Sequence, residues 1–203
     1  MNLTNIAAFL STVIAVYCTI PYIIAILKGK TKPHQLSWLV FVIMNGIVFF
    51  SQYFEGGRRS ILIALTFFIG SFIVLLLSLK YGIRDTSRWD KALFSFALAT
   101  IVLWLLTRSN AFAIWLTVLI DFAATTMMIL KVRAEPHSEE PLPWFLAIVA
   151  YVFSCLSLVG SHNYILYVRP IFGGFICDGA LWLAILFYRK SKKKIESISP
   201  AEI

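Results

Sequence analysis

The chain has 203 residues, of which 60% are hydrophobic and only 14% are charged, and its mean hydropathy is +0.83. This composition excludes a disordered chain and is typical of a membrane protein. The three cysteines, Cys18, Cys155 and Cys177, are scattered, which excludes a disulfide scaffold. The net charge of +8 fits either a nucleic-acid partner or the cytoplasmic loops of a membrane protein, so its distribution decides between them.

Seven apolar segments follow one another along the chain, each close to the length of a bilayer-spanning helix. None has the alternating polarity of a barrel strand, so we predict an all-α integral membrane protein with seven transmembrane helices. The first segment lacks a basic flank and a small-residue cleavage site, and we interpret it as a span. The predicted spans are 6–27, 36–54, 60–79, 92–107, 111–130, 144–159 and 164–188.

Basic residues collect on alternate connections between these spans. Fourteen of the 18 Lys and Arg residues lie between spans 1 and 2, 3 and 4, and 5 and 6, and after span 7. The other connections hold only Arg58, Arg59 and Arg108. The positive-inside rule then predicts an outside N-terminus and a cytoplasmic C-terminus. This distribution accounts for the net charge, and we expect no nucleic-acid partner.

The chain resembles itself at an offset of 103 residues. This offset aligns FIGSF at 68–72 with IFGGF at 171–175, and a three-residue insertion aligns Trp38 with Trp144. We therefore predict a 3-1-3 repeat of two triple-helix bundles, parallel because one helix separates them. The predicted domains are a first triple-helix bundle at 1–82, a linker helix at 83–109, a second triple-helix bundle at 110–190 and a cytoplasmic tail at 191–203.

Residues 18–41, CTIPYIIAILKGKTKPHQLSWLVF, have a proline inside the first helix, a short basic connection, and a Ser leading into the second helix. This segment resembles the PQ-loop motif, and the 3-1-3 arrangement resembles the SWEET and PQ-loop superfamily of small membrane transporters. The resemblance implies alternating access with Pro21 as the hinge. Two departures from the motif are Tyr22, where a Gln is usual, and Ala124, which occupies the position of Pro21 in the second copy.

Two carboxylates fall within predicted spans, Asp121 in span 5 and Asp178 in span 7. Ionisable groups at membrane depth usually face the protein interior and are candidates for function. A carboxylate removed from water without a partner favours proton binding, so both residues are candidates for proton coupling or for binding a cationic substrate. The alternative is a structural role, with each carboxyl protonated or paired with Arg169, a Tyr or a Thr.

Further candidates come from helical spacing and depth. Thr125 shares a face with Asp121, Gly174 shares one with Pro170 and Asp178, and Asn45 is central in span 2. Two tryptophans lie deep enough to wall a pocket. The predicted substrate-binding set is Asp121, Asp178, Asn45, Thr125, Trp115, Trp182 and Gly174.

Residues near the span ends are predicted to have interfacial roles. Arg169 is expected to snorkel to the membrane interface, with binding of an anionic group at the outer vestibule as the alternative. Aromatic residues close to the ends are interpreted as interfacial anchors. These are Trp38, Trp89, Trp104, Trp144, Tyr53 and Tyr164.

The sequence offers no ligand set for a metal and no catalytic motif. Zinc needs three or four converging ligands, and the predicted topology separates His34, His137 and His162. A His pair at the cytoplasmic gate, joined by Glu135, Glu139 or Glu140, is a weaker alternative. No nucleophile elbow, HExxH pair or P-loop is present. We therefore expect no cofactor and no enzymatic activity.

The function expected from these features is transport of a small molecule by alternating access. The protein would be either a uniporter for a neutral polar solute or a proton-coupled carrier that uses Asp121 or Asp178. The two aspartates favour a cationic or zwitterionic solute, such as an amine, an amino acid or a vitamin, over a sugar. The alternatives are a sugar facilitator of the SWEET type and a receptor or sensor on the same fold that does not transport. The expected partners are the substrate and the lipid bilayer, and a homo-oligomer is an open alternative.

Overall fold

A computed structural model describes residues 2–31, 33–82, 84, 87–137 and 139–198. These residues form seven helices and no strand, which confirms the all-α prediction for the part of the chain described. The helices are α1 (Leu3–Leu27), α2 (Gln35–Phe54), α3 (Ile61–Tyr81), α4 (Arg88–Thr107), α5 (Asn110–Ala134), α6 (Pro141–Ser157) and α7, which runs without a break through Ile165–Val168, Arg169–Asp178 and Gly179–Ile198.

Five of the helices, α1, α2, α3, α5 and α7, are long and apolar enough to cross a membrane. The apolar parts of α4 and α6, Lys91–Thr107 and Pro141–Ser157, are shorter. Large apolar side chains also cover the outside of the bundle, among them Leu106 at 75% exposure and Phe187 at 66%. A soluble monomer rarely exposes so much apolar surface, so these helices belong to a membrane protein.

Helix boundaries differ from the predicted spans where local chemistry extends a helix beyond its apolar part. α6 begins at Pro141, before the predicted start at position 144, because proline has no N–H to lose in the first turn of a helix. α5 continues past the predicted end at position 130 to Ala134. Its last turn contains Lys131 and Arg133, and basic side chains are favourable there.

Two helices, α3 and α7, each pack against a pair of neighbours. α3 lies against both α1 and α2, and α7 lies against both α5 and α6. We call α1 to α3 the first triplet and α5 to α7 the second triplet. The triplets meet where α1 packs on α6 and where α2 packs on α5, and α4 lies against α2 and α5. The α1–α6 contact is tight, since Ala15 and Ala150 are both fully buried in it.

Side-chain bonds define the two ends of the bundle. At one end the Gln35 side chain donates a hydrogen bond to the Ser78 carbonyl, at 2.9 Å, which joins the start of α2 to the end of α3. We call this the basic end, because the connections that lie here are the ones rich in Lys and Arg. At the opposite end the Asn163 side-chain amide donates to the carbonyl oxygen of Glu55, at 3.2 Å, and to its carboxylate, at 3.0 Å. These bonds join the α2–α3 connection of the first triplet to the α6–α7 connection of the second.

Candidate functional site

Two adjoining cavities lie between the triplets. The first, the vestibule, has a volume of about 300 Å³ and reaches the connections at the basic end, where Pro33 and Glu139 line it. The second, the central chamber, has a volume of about 140 Å³ and reaches Asp178 in the middle of α7. Four aromatic residues line both cavities and form the boundary between them: Tyr22, Trp38, Phe41 and Trp144.

The central chamber contains a buried ion pair. The Arg169 guanidinium on α7 pairs with the Asp121 carboxylate on α5, and each residue is only 6% exposed. The Arg169 guanidinium carbon also lies 5.9 Å from the ring centre of Tyr151, within the range of a cation–π contact. The prediction that Arg169 snorkels to the interface is therefore wrong. The carboxylate on the neighbouring helix compensates its charge inside the bundle, and the residue needs no route to water.

A π-helical segment explains how Arg169 and Asp178 come to line the same chamber. Nine residue steps separate them, and in an α-helix nine steps of about 100° end on the opposite face. Arg169–Asp178 is π-helical. With about 4.4 residues per turn, nine steps return to within about 20° of the starting direction. The predicted α-helical stripe of Pro170, Gly174 and Asp178 is accordingly replaced by a face that carries both charged residues.

Two adjacent glycines provide the space that the ion pair occupies. A Cβ atom at Gly173 would collide with the Arg169 guanidinium and the Asp121 carboxylate. A Cβ atom at Gly174 would collide with the Tyr151 ring on α6. Gly174, predicted to bind substrate, is thus a point of close packing between α6 and α7. Gly173 is the residue that accommodates the charges.

Asp178 differs from Asp121 in having no direct partner. It is half-buried and lines the central chamber, and within the described residues it makes no hydrogen bond or ion pair. Arg169 acts on it only through its charge. Two carboxylates and one guanidinium leave a single uncompensated negative charge in the chamber when both acids are ionised. Asp178 is therefore the acid that is available to a proton or to a ligand.

Of the other predicted binding residues, only Asn45 lines the central chamber. Its amide lies 3.5 Å from the Ser71 hydroxyl. Thr125 lies beside the Cys177 thiol. Trp115 is 44% exposed and packs on Phe172. Trp182 packs on Phe145. These last three residues do not line either of the two cavities.

Several cavity residues were not predicted as binding residues. Trp38 and Trp144 were interpreted as interfacial anchors, but both line the vestibule and the chamber. The Trp38 ring lies 5.2 Å from Tyr22 and 5.4 Å from Phe41. The sequence does contain a signal for the two tryptophans, which is their alignment in the internal repeat. Equivalent residues of two facing copies can converge on the space between the copies.

The acid of the vestibule is Glu139, in the α5–α6 connection. Glu139 is 4% exposed, and one of its carboxylate oxygens pairs with the Lys131 ammonium at 3.1 Å. Burial raises the pKa of the Glu139 carboxyl above its ordinary 4.5, and the Lys131 charge opposes that shift. Arg189 donates to the backbone carbonyls of Pro136, at 3.1 Å, and of Glu139, at 2.7 Å, and so ties this connection to α7.

Within the described residues no group of three or more His, Cys, Asp or Glu side chains is close enough to hold a metal ion. His34 lines the vestibule, whereas His137 is exposed. Comparison of the chain with protein-family models gives no match. No curated protein and no solved structure matches it either. The function of the site is therefore inferred from its own residues and their geometry.

The first prediction concerns Gly173. Gly173→Ala should lower the melting temperature of the protein in detergent, because the new methyl group would displace the buried ion pair, at a cost of about 1–3 kcal/mol for overpacking. Gly179→Ala is the matched control on the same helix, since a Cβ atom there meets no atom within 4 Å. Equal melting temperatures for the two variants would contradict the tight fit.

The second prediction concerns the ion pair itself. Asp121→Asn should destabilise the protein by about 3–5 kcal/mol, because it leaves Arg169 charged and buried without a partner. The double variant Asp121→Asn/Arg169→Gln removes both charges and should recover part of this loss. Thermal unfolding of the wild type, both single variants and the double variant measures the coupling. Strictly additive losses would mean that the two residues act independently.

Proposed function

We propose that the chain is a small-molecule transporter of the PQ-loop and SWEET superfamily that works by alternating access on a polar, cationic or zwitterionic solute, with proton coupling. One observation carries the proposal. Two adjoining cavities reach the middle of the bundle from the basic end, and the inner one contains Asp178, a carboxylate without a direct partner among the described residues. Transporter sites lie at this depth, between the repeated halves.

The helix contacts support the proposed 3-1-3 repeat. In each triplet the third helix packs against the other two, and the contacts between triplets, α1 with α6 and α2 with α5, exchange when the two triplets are exchanged. Equivalent glycines also lie at equivalent contacts. A Cβ atom at Gly70 on α3 would lie 3.1 Å from Thr19 on α1, and one at Gly173 on α7 would meet Asp121 on α5.

The end opposite the basic end is closed by contacts between the triplets, and this supports the alternating-access part of the proposal. The Asn163–Glu55 bonds join the triplets there, and Leu166 of α7 lies near Gly57 of the α2–α3 connection. With the proposed seven spans and a cytoplasmic C-terminus, the basic end faces the cytoplasm, so this conformation is inward-open. An outward-open conformation would break the Asn163–Glu55 bonds and close the vestibule.

Pro21 is the proposed hinge. It lies inside α1, where it removes one backbone hydrogen bond. The next residue, Tyr22, belongs to the aromatic boundary between vestibule and chamber. A change of bend at Pro21 would therefore move a residue that controls passage between the two cavities.

The third prediction tests transport and the role of Asp178. Purified protein in sealed vesicles that contain a pH-sensitive dye is offered amines, amino acids and sugars one at a time. A substrate should enter together with protons and acidify the interior. Asp178→Asn should abolish concentrative uptake while sparing exchange, because the amide keeps the shape of the side chain and cannot carry a proton. Glu135→Gln changes the same charge at an exposed position and is the control.

The outcomes distinguish the alternatives. Loss of substrate binding in Asp178→Asn would identify Asp178 as the counter-charge of a cationic solute. Uptake of a neutral sugar without acidification would instead support a facilitator. Binding without any uptake would support a receptor and end the transporter proposal. Pro21→Ala should slow exchange, and unchanged flux would reduce Pro21 to a static kink.

The fourth prediction tests orientation. A cysteine introduced at Asn2 should react with a membrane-impermeant thiol reagent applied to intact cells. A cysteine at Lys192 should react only after the cells are permeabilised, because the proposed chain crosses the membrane an odd number of times. The unsubstituted chain controls for its three natural cysteines. Labelling of both positions from the same side would exclude seven spans.

A further inference from the structure

The vestibule contains a buried acid that the proposed chemistry of the central chamber does not use. Glu139 is 4% exposed, and among the described residues only Oε1 of its two carboxylate oxygens has a partner, the Lys131 ammonium. The other oxygen, Oε2, is buried and makes no hydrogen bond among the described residues. The indole of Trp144 lies close enough to interact with the carboxylate, but its Nε1 also lacks hydrogen-bond geometry. One carboxylate oxygen is thus paired with Lys131, and the other makes no hydrogen bond among the described residues although the Trp144 indole lies close to the carboxylate.

The partner that Glu139 has can be exchanged. The Lys131 side chain is 51% exposed, so its ammonium can be hydrated by water when it leaves the carboxylate. Glu139 has no such freedom, because the bonds from Arg189 hold the connection that carries it and its side chain is buried. Of the two charges, the carboxylate is therefore the one that needs a partner from within the cavity.

Aromatic side chains line the same cavity as this acid. Tyr22, Trp38 and Trp144 line the vestibule with Glu139, and the charge of Glu139 acts on Tyr22. Aromatic rings next to a carboxylate are the usual environment for an ammonium ion that carries carbon substituents, because ring faces attract cations and also pack against methyl groups. A cavity of about 300 Å³ is large enough for a small organic molecule of this kind.

We propose that the vestibule is a binding site for an organic cation, an ammonium group with apolar substituents, which replaces Lys131 as the partner of Glu139 and packs against Tyr22, Trp38 and Trp144. The inference rests on the proposed function, because the vestibule is the route to the central chamber, and it names the substrate class. The exposed basic residues of this end would favour anions at long range, but salt screens exposed charges beyond about 10 Å. The buried carboxylate acts at contact distance.

Three probes of nearly the same shape test the charge preference. Choline carries a trimethylammonium group, 3,3-dimethylbutan-1-ol has the same shape without charge, and 3,3-dimethylbutanoate is an anion. Binding to the purified full chain in an uncharged maltoside detergent is measured by calorimetry and by tryptophan fluorescence. We expect choline to bind about tenfold more tightly than the alcohol, and the anion to bind most weakly.

Variants assign the preference to Glu139. Glu139→Gln should weaken choline binding about tenfold and change alcohol binding by less than about twofold. Lys131→Gln should tighten choline binding, because it removes the competing ammonium. Glu135→Gln removes an exposed carboxylate from the same connection, and it should leave choline binding at the wild-type value.

The outcomes separate this inference from the proposed function. Equal binding of choline and the alcohol, or tighter binding of the anion, overturns it. So does loss of choline binding in Asp178→Asn with none in Glu139→Gln, because the cation would then lie in the central chamber. Glu139-dependent choline binding without uptake of any solute supports this site and rejects transport. Uptake of a solute by a protein with no preference for choline rejects this site alone.

Discussion

The centre of the bundle depends on the ion pair between Asp121 and Arg169. Both residues are removed from water, so each needs the other, and separating them would cost several kcal/mol. The pair joins α5 to α7 and requires a residue without a side chain at Gly173. It also gives the two aspartates different roles. Asp121 has its charge compensated by Arg169, whereas Asp178 on the same chamber wall has no ion-pair partner in the part of the chain that the structure describes.

The charged residues that line the central chamber come from one half of the protein. Asp121, Arg169 and Asp178 all belong to the second triplet, whereas the first triplet contributes neutral groups to the chamber, among them Cys18 and Asn45. Cys18 is the residue that aligns with Asp121 at the offset of 103. In the proposed repeat, one copy therefore supplies the charge and the other supplies neutral polar and aromatic surface.

The aromatic boundary connects the chemistry of the two cavities. The boundary between the vestibule and the chamber consists of Tyr22, Trp38 and Phe41 from the first triplet and Trp144 from the second. On one side of this boundary lies Glu139, and on the other lies Asp178. In the proposed transporter a cation entering from the basic end would meet the two carboxylates in turn, with aromatic side chains between them. Such an arrangement limits the distance over which the charge of the solute lacks a counter-charge.

The sequence by itself determined that the protein is helical and belongs in a membrane, because long apolar segments without alternating polarity leave no other way to satisfy the backbone in lipid. It also singled out the intramembrane aspartates, since their cost in an apolar segment does not depend on the details of packing. Only the tertiary structure decided which aspartate is paired. The outcome depends on the helical phase of α7, and the π-helical turn from Arg169 to Asp178 changes that phase in a way that a period of 3.6 residues does not reveal. The burial of Glu139 was likewise decided by folding, because Arg189, 50 residues further along the chain, holds the connection that carries it.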